Sequence, residues 1–234
     1  MSDSRFERGR KASRGGRRTP RILSVNPRNP DPHVVRDIVN VLQEEGLVAL
    51  PTDTVYGLAA DISRAATLDR LLYVKARPHD KPIPIFIANI DALGGVAQEI
   101  PEAARQLAEH FWPGPLTLIL YASPAVPEMI TAGTGTVGVR IPQLPLIEGI
   151  LAGLQRPITG TSANRSGGVD PVTAEDVLRA VGNQCDLLVD GGRVPGGIPS
   201  TVLDCTQSPF RIIREGAVGG EAIAALLGEK APPS

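Results

Sequence analysis

The chain contains few of the residue types on which many enzymes depend. Aromatic residues make up only 3% of its 234 residues, so the core has to be built from Ile, Leu, Val and Ala. Cys185 and Cys205 lack the spacing of a metal site, and we interpret them as free thiols of a reducing compartment. The histidines are His33, His79 and His110, none near a plausible Ser or Asp partner in the sequence, which disfavours a hydrolytic triad and a histidine-based metal centre.

Several common motifs are missing as well. No run approaches the roughly 20 apolar residues that a membrane-spanning helix needs. The sequence has neither a GxxxxGK[ST] loop nor a GxGxxG followed by an acidic residue, which disfavours the common nucleotide-binding folds. It also lacks the GxSxG elbow of many hydrolases. We therefore expect no membrane span and a site that follows none of these patterns.

Charge is divided unevenly between the first 21 residues and the remainder. Residues 1–21 carry eight basic and two acidic side chains, a net charge of +6, whereas the remainder carries 16 basic and 23 acidic side chains, a net charge of −7. The tail has too few apolar residues to fold and lacks the apolar core of a secretory signal. We predict a disordered tail. A weak contact with tRNA, a mere extension and an organellar presequence are its open interpretations.

Short apolar strands alternate with amphipathic helices from residue 22 onward. The predicted strands cover residues 22–25, 47–50, 83–88, 116–121, 136–141, 158–161, 187–189, 201–203 and 211–213. The predicted helices cover 31–46, 64–76, 101–111, 146–154 and 220–227, and a capping box at 173–176 starts a further one. No linker or repeat divides residues 22–234. This alternation predicts one α/β domain with a twisted, mixed sheet that bends around a cavity.

Polar, glycine-rich segments recur at the ends of these strands, where α/β sheets place ligands. In LPTDTVYGLAAD, residues 50–61, Thr52 and Thr54 occupy alternate positions of an extended segment and are predicted to line one wall, followed by a turn at Tyr56-Gly57. The alternative is a polar strand exit with local hydrogen bonds. In KARPHDKP, residues 75–82, three cations and two prolines predict a stiff phosphate-binding loop, with a solvated helix end as the alternative.

Two further segments have the same character. Arg140 ends an apolar strand in VGVRIP, and a buried guanidinium needs an anionic partner, which could be a protein carboxylate or a substrate carboxylate. GTSANRSGG, residues 160–168, could hold a serine nucleophile, a phosphate cradle or a plain turn. PSTVLD, residues 199–204, adds hydroxyls before a strand. From the residues alone, we expect a protein that binds a nucleotide or phosphate and transfers a group.

Six strings in a fixed order resemble the YrdC-like family, whose enzymatic members are threonylcarbamoyl-AMP synthases of the TsaC type. The strings are PTDTVYGL, KARP with the following KP, FWPGPLT, VGVRIP, TSANRSG and STVLD with REG. Each string is weak alone, but together they span about residues 22–216 and resemble the short form of the family. The resemblance implies a YrdC/RibB-like fold, an open twisted α/β sheet curved around a concave basic cavity.

The resemblance also implies a reaction. L-Threonine, bicarbonate and ATP would give threonylcarbamoyl-AMP and pyrophosphate, with Mg²⁺ held by the ATP phosphates rather than by protein ligands. The product would serve the modification of the tRNA adenosine beside the anticodon in the cytoplasm, where partner proteins perform the transfer. A non-catalytic YrdC-like paralogue that binds RNA or a nucleotide is the main alternative, and a serine hydrolase using Ser162 or Ser166 is a third.

The site residues are carried over by position within these motifs. Those implied to grip and polarise the phosphates are Lys75, Arg77, Ser162 and Asn164. Those implied to bind ATP are Arg77, Lys81, Thr136, Ser162 and Arg214, and those implied to bind L-threonine are Thr54, Arg140 and Ser200. One position departs from the family, because Asp170 stands where a hydroxyl residue is common near the phosphates.

Overall fold

The computed structural model of the chain describes residues 19–78, 80–194 and 198–228. The helices in these ranges are α1 (Pro32–Gln43), α2 (Ala65–Lys75), α3 (Leu93–Val96), α4 (Glu102–Phe111), α5 (Glu128–Thr131), α6 (Pro145–Leu154), α7 (Ala174–Ala180) and α8 (Gly220–Leu227). The strands are β1 (Arg21–Ser24), β2 (Val48–Pro51), β3 (Tyr56–Ala59), β4 (Ile85–Phe86), β5 (Ala97–Gln98), β6 (Leu116–Ala122), β7 (Thr136–Arg140), β8 (Ile158–Thr159), β9 (Thr161–Ser162), β10 (Leu187–Asp190), β11 (Thr201–Asp204) and β12 (Arg211–Arg214).

The tail predicted for residues 1–21 falls mostly outside the described residues. Residues 1–18 are not described, and β1 begins at Arg21, one residue before the predicted boundary. Arg21 pairs in register with Leu187 of β10, and its side chain donates to Asp37 at 2.7 Å. This arginine therefore belongs to the folded part of the chain.

The strands form two mixed sheets, which confirms the predicted α/β class. The five-stranded sheet has the order β1-β10-β2-β3-β9, and the seven-stranded sheet has the order β12-β11-β6-β7-β4-β8, with β5 added beside β6. Each sheet contains parallel and antiparallel pairs. A bridge between Asp61, which follows β3, and Ile158 of β8 joins the two sheets, and the Thr159 amide donates to the Ala60 carbonyl at 2.9 Å.

Two helix starts follow from the local sequence as predicted. Asp31 caps α1 by accepting a hydrogen bond from the His33 amide at 2.8 Å, and Pro32 occupies the first turn, where a missing N–H does no harm. Thr173 and Asp176 form a reciprocal capping box at the start of α7. Each motif satisfies backbone donors that a helix end otherwise leaves without partners.

Strand β2 separates two packed cores and is buried on both faces. Val48 and Leu50 face the smaller core, in which α1 and α6 cover one side of the five-stranded sheet. Ala49 faces the larger core, which extends to α2, α4, α7 and α8. A strand buried on both faces reads as a continuous apolar run, and this is why the segment was recognisable in the sequence.

The chain between β2 and β3 differs from the prediction. Residues 56 and 57, expected to turn, begin β3, which pairs with β2 and β9. The turn lies earlier, where the Thr52 amide donates to the Val55 carbonyl at 3.2 Å. The predicted strand over 158–161 is also divided, because Gly160 separates β8 from β9 and each strand joins a different sheet. Within the described ranges, no helix is long and apolar enough to cross a membrane.

Candidate active site

One cavity lies between the two sheets and collects most of the polar clusters. Its walls come from the turn before β3, the loop after α2, β4, β6, β7, the β8–β9 connection and the segments around β11 and β12. Its lining residues are Thr52, Thr54, Val55, Gly57, Arg77, Pro84, Phe86, Thr117, Arg140, Gly160, Thr161, Ser162, Asp170, Pro199, Ser200 and Arg214. Segments far apart in sequence therefore meet in one basic, hydroxyl-rich site.

Arg140 is held at the end of β7 by three protein groups. Its Nε donates to the Gly114 carbonyl at 2.9 Å, Nη1 to the Thr54 hydroxyl at 3.2 Å and Nη2 to Asp53 Oδ1 at 2.6 Å. The side chain is 4% exposed, and its guanidinium carbon lies 5.8 Å from the centre of the Phe86 ring. Burial lowers the pKa of Arg140, and the Asp53 carboxylate opposes that shift. The protein carboxylate anticipated as one alternative is therefore present.

The threonines before β3 face the cavity, but not from an extended segment. The hydroxyls of Thr52 and Thr54 lie 3.1 Å apart, and the Thr52 hydroxyl also donates to the Val55 carbonyl at 2.7 Å. The Thr54 amide in turn donates to the Thr52 hydroxyl at 3.1 Å. These local bonds fix the turn, as the alternative interpretation expected. Both threonines also line the cavity, as the prediction of a shared wall expected.

A second arginine, Arg214, braces the segment before β11. Its Nε and Nη2 both donate to the Ser200 carbonyl, at 3.1 and 2.8 Å. The Ser200 hydroxyl lies 2.9 Å from the buried hydroxyl of Thr117 on β6. A methyl group on Gly216 would lie 2.3 Å from the Pro199 carbonyl, so a side chain there would displace this segment. The glycine of the REG string thus permits the close contact that positions Ser200.

Arg77 closes the cavity on the side of α2. It follows Ala76, which ends the helix in the left-handed conformation. Its Nε donates to the Lys81 carbonyl at 3.1 Å and its Nη2 to the Pro82 carbonyl at 2.6 Å. The loop therefore holds Arg77 through the backbone carbonyl of Lys81, whereas the Lys81 side chain is exposed and is not part of the lining.

The loop from Ser162 to Asp170 is organised around Asn164. Its Oδ1 accepts from the Ser162 hydroxyl at 2.7 Å, and its Nδ2 donates to the Gly168 carbonyl at 2.7 Å and to Asp170 Oδ1 at 3.2 Å. Asn164 itself is 5% exposed and lies behind the lining, whereas Ser162 and Asp170 face the cavity. A single buried amide thus fixes both polar side chains that this loop presents.

Lys75 lies beneath the same loop rather than in the cavity lining. The side chain is buried, and its ammonium group donates to the carbonyls of Ser162 and Asn164, the latter at 2.9 Å. The pKa of Lys75 is lowered from 10.5 to about 8, mainly by burial and also by the nearby Arg77 charge, while Asp170 opposes the shift. Lys75 therefore holds the backbone of the loop from within.

The structure brings together most, though not all, of the predicted site residues. Those that line the cavity are Thr54, Arg77, Arg140, Ser162, Ser200 and Arg214. Thr136 begins β7, four residues before Arg140, and its hydroxyl pairs with that of Thr134 at 2.9 Å, away from the lining. Sequence reasoning did not select Thr117 and Phe86, which line the cavity, or Asp53, which contacts Arg140. Asp53 and Thr117 do occur in the quoted strings.

The described residues offer neither a serine nucleophile with a base nor a resident metal centre. His33 and His110 do not line the cavity, and the Ser162 hydroxyl donates to Asn164. His79 lies outside the described residues. No group of three or more His, Cys, Asp or Glu side chains that could hold a metal is found in the described part of the chain. The arrangement suits an anion gripped by guanidinium and hydroxyl groups.

Comparisons with a family model and with individual proteins agree on one family. The family model Sua5_yciO_yrdC, described as "Telomere recombination", matches residues 40–216. The chain is similar to a threonylcarbamoyl-AMP synthase of Pyrococcus abyssi, with 40% identity over 195 residues that cover 83% of this chain and 57% of that protein. It is also similar to a threonylcarbamoyl-AMP synthase of Vibrio vulnificus, with 31% identity over 78% of this chain and 98% of that protein.

A solved structure agrees with these sequence relatives. The crystal structure of P. abyssi Sua5 complexed with L-threonine superposes with a TM-score of 0.87 and 38% identity, covering 91% of this chain and 62% of that one. The chain therefore spans less than two thirds of the length of the P. abyssi protein. With most of its length matched by the family model and by these relatives, the chain belongs to the Sua5/YciO/YrdC family.

Proposed function

We propose that the chain is a threonylcarbamoyl-AMP synthase, which converts L-threonine, bicarbonate and ATP to threonylcarbamoyl-AMP and pyrophosphate. The observation that carries the proposal is the convergence of Arg77, Arg140 and Arg214 on one cavity with the hydroxyls of Thr54 and Ser200. Three guanidinium groups around small hydroxyls suit a substrate carboxylate and a polyphosphate bound side by side. The names of the Pyrococcus and Vibrio relatives support the same reaction.

The threonine pocket of this proposal lies around Arg140. The guanidinium has five N–H groups, and the three protein contacts described above use three of them. The remaining two would bind the carboxylate of threonine, with Thr54 and Ser200 beside it. The solved complex of the Pyrococcus protein with L-threonine supports a pocket for this amino acid in the shared fold.

The nucleotide would lie toward Arg77, Arg214 and Ser162. The Ser162 hydroxyl and the two guanidinium groups face the cavity and would contact phosphate oxygens. Thr136 lies four positions before Arg140 on β7, roughly 13 Å along the strand, so it would contact the nucleoside end of ATP. Lys81 would meet ATP only with its exposed side chain turned toward the cavity mouth.

The chemistry requires positioning and charge neutralisation rather than a side-chain nucleophile. The threonine amine attacks the carbon of bicarbonate, and loss of water leaves a carbamate. A carbamate oxygen then attacks the α-phosphorus of ATP, and the bond to the pyrophosphate leaving group breaks. Guanidinium groups held in place before the reaction stabilise the negative charge that develops on the phosphate oxygens. The cavity lining in the described part of the chain contains no histidine base for a serine, which is consistent with this mechanism.

Lys75 and Asn164 would act through the loop that they hold. Both are buried behind the lining, and both contact the 162–170 loop that presents Ser162. We therefore assign them as positioning residues, instead of the direct phosphate contacts that the family resemblance implies. In this arrangement the Lys75 charge still adds to the positive field of the cavity, since the ammonium lies directly beneath the loop.

The donor set fits Mg²⁺ that arrives with ATP. Mg²⁺ usually keeps several waters and is bound by one or two carboxylates together with substrate phosphates. The cavity lining contains Asp170, whereas Asp53 is engaged by Arg140. When bound, the ion would neutralise phosphate charge. We further propose that the product is used in the cytoplasm for tRNA modification by partner proteins of a threonylcarbamoyl-transfer complex.

The experiment that tests the function is a pyrophosphate-release assay with purified protein. Release should require ATP, L-threonine and bicarbonate together, and the AMP-linked product should contain threonine by mass spectrometry. Serine and alanine serve as matched control amino acids. Pyrophosphate release that is independent of threonine contradicts the proposal. Tight, salt-dependent RNA binding with no turnover would instead support the non-catalytic paralogue.

A further inference from the structure

We propose that Asp170 supplies an oxygen ligand to the divalent cation that accompanies the nucleotide phosphates, so that the cavity selects the metal-complexed nucleotide over the free one. This inference rests on the proposed function, since it assumes that ATP phosphates occupy the cavity. It concerns a residue to which neither the family match nor the relatives' names assign a role.

Asp170 is a carboxylate within a cavity that is otherwise suited to anions. It lines the cavity together with Arg77, Ser162 and Arg214. No ion pair among the described residues includes Asp170, although its charge opposes the lowering by burial of the pKa of both Lys75 and Arg214. It is therefore near the cations but is not matched to any of them by direct contact.

The contrast with Asp53 shows that Asp170 is not a structural counter-ion. Asp53 contacts Arg140 at 2.6 Å, whereas Arg77 donates to backbone carbonyls and Arg214 donates to the carbonyl and the hydroxyl of Ser200. Asp170 Oδ1 accepts from the Asn164 amide at 3.2 Å, and the hydrogen bonds found in the described part of the chain do not engage Oδ2. One carboxylate oxygen is thus fixed while the other is left for a ligand.

The backbone on both sides of Asp170 is restrained. The carbonyl of Pro171 accepts from the Tyr56 amide at 2.8 Å, and the carbonyl of Gly168 accepts from Asn164 at 2.7 Å. The proline that follows also limits the backbone of Asp170 itself. The backbone therefore keeps Asp170 beside the cavity, where a phosphate without a cation would meet like charge.

A divalent cation removes this conflict. Mg²⁺ takes carboxylate and phosphate oxygens together, and it commonly uses only one or two protein carboxylates. Since Asp170 and the proposed phosphate-binding residues Arg77 and Ser162 line the same cavity, an ion on the phosphates would come within reach of Oδ2. Arg77 and Arg214 would still contact the phosphate oxygens that the metal ion does not bind.

The test compares metal dependence of nucleotide binding in matched variants. A non-hydrolysable ATP analogue is titrated calorimetrically with and without Mg²⁺ into the wild type, Asp170→Asn, Asp170→Ser and Glu175→Gln. Glu175 is an exposed acid on α7 outside the cavity lining and controls for loss of charge alone. We expect Mg²⁺ to tighten binding by about tenfold or more in the wild type and in Glu175→Gln, and by less than about threefold in Asp170→Asn and Asp170→Ser.

Asp170→Asn and Asp170→Ser should bind the metal-free analogue more tightly than the wild type, by about threefold or more, because a like charge is removed. With Mn²⁺ in place of Mg²⁺, water-proton relaxation should report more metal-bound water in Asp170→Asn than in the wild type. Equal metal dependence in the wild type and Asp170→Asn overturns the inference while leaving ATP binding intact. A wild type that binds no nucleotide under either condition overturns the proposed function as well.

Discussion

Two buried arginine–carboxylate clusters in this molecule are built in opposite ways. In the cavity, Arg140 is 4% exposed and Asp53 is 12% exposed, and three good hydrogen bonds hold the guanidinium. At the junction of the two sheets, Asp61 is fully buried, with Arg156 Nη2 at 2.9 Å and Arg64 Nε at 3.9 Å. Both of these arginines are more than a third exposed.

Under the proposed function, the first cluster has a binding role and the second a structural one. In the cavity the buried partner is a cation whose remaining donors can bind an anion. At the junction the buried partner is a carboxylate, and it precedes α2 and bridges to Ile158 of the other sheet. Asp61 Oδ2 and the Nε atoms of both arginines are buried without a hydrogen bond. The charged groups of this second cluster are therefore close to each other but are not aligned for hydrogen bonding. The following predictions test this division.

The largest expected effect is that of Arg140→Ala on threonine use. Removing a buried, hydrogen-bonded cation should lower kcat/KM for threonine by about thirtyfold or more, because truncating one partner of such a pair costs about 2–5 kcal/mol. Steady-state kinetics at saturating ATP measure this. Arg156→Ala serves as the matched control, and it should leave the KM for threonine within about twofold of the wild type. An equal loss of kcat/KM in both variants would remove the distinction between the clusters.

Asp61→Asn should affect stability and not catalysis. The isosteric amide keeps the contact with Ser63, whose amide donates to Asp61 Oδ1 at 3.0 Å, but removes the charge that faces Arg64 and Arg156. Because these arginines are partly solvated, we expect the free energy of unfolding to fall by only about 2 kcal/mol. Urea denaturation measures this change. A raised KM for threonine with unchanged stability would contradict the structural assignment.

Asp53→Asn should weaken threonine binding less than Arg140→Ala does. The amide oxygen can still accept from Arg140, but the loss of its charge should loosen the guanidinium and raise the KM for threonine by about tenfold, with kcat less affected. A double-mutant cycle with Arg140→Ala measures the coupling between the two residues. Additive effects of the two substitutions would show that Asp53 does not position Arg140.

The last prediction is a pH dependence of stability from Lys75. Its pKa is about 8 in the folded protein, compared with 10.5 for an ordinary lysine, so between these values the unfolded state holds the proton and the folded state does not. Stability of the wild type relative to Lys75→Met should therefore rise with pH in this window, by at most about 1.4 kcal/mol per pH unit. Below pH 8 the difference should be constant. Urea denaturation from pH 7 to 10 measures the difference in the free energy of unfolding between the two proteins. A difference that decreases as the pH rises above 8 would contradict the prediction.

Local signals made part of this fold predictable from sequence. The start of α1 and the capping box of α7 depend on residues within four positions of each other, and both are present as predicted. The buried strand at β2 was clear from its apolar run. By contrast, β3 has the sequence YGLA, which has no β-branched residue, and its pairing with β2 and β9 decides its conformation.

Part of the membership of the candidate site was predictable from sequence, but its arrangement was not. Short motifs identified Arg77, Arg140 and Ser162, but a lysine at a helix end is normally solvated, and nothing in the local sequence indicates that Lys75 would be buried beneath a loop 87 residues away. Likewise, Asp53 and Arg140 are 87 positions apart, and only the folded chain brings them together. Long-range contacts therefore determined what the motifs alone left open.

The contact between Gly160 and Phe86 sets a constraint on how this family of sequences can vary. A methyl group added at position 160 would lie 2.3 Å from the Phe86 ring, and both residues line the cavity. A larger residue at position 160 would therefore need a smaller one at position 86. Correlated substitution at these two positions among related sequences would indicate that the combined volume of the two side chains is conserved in this cavity wall.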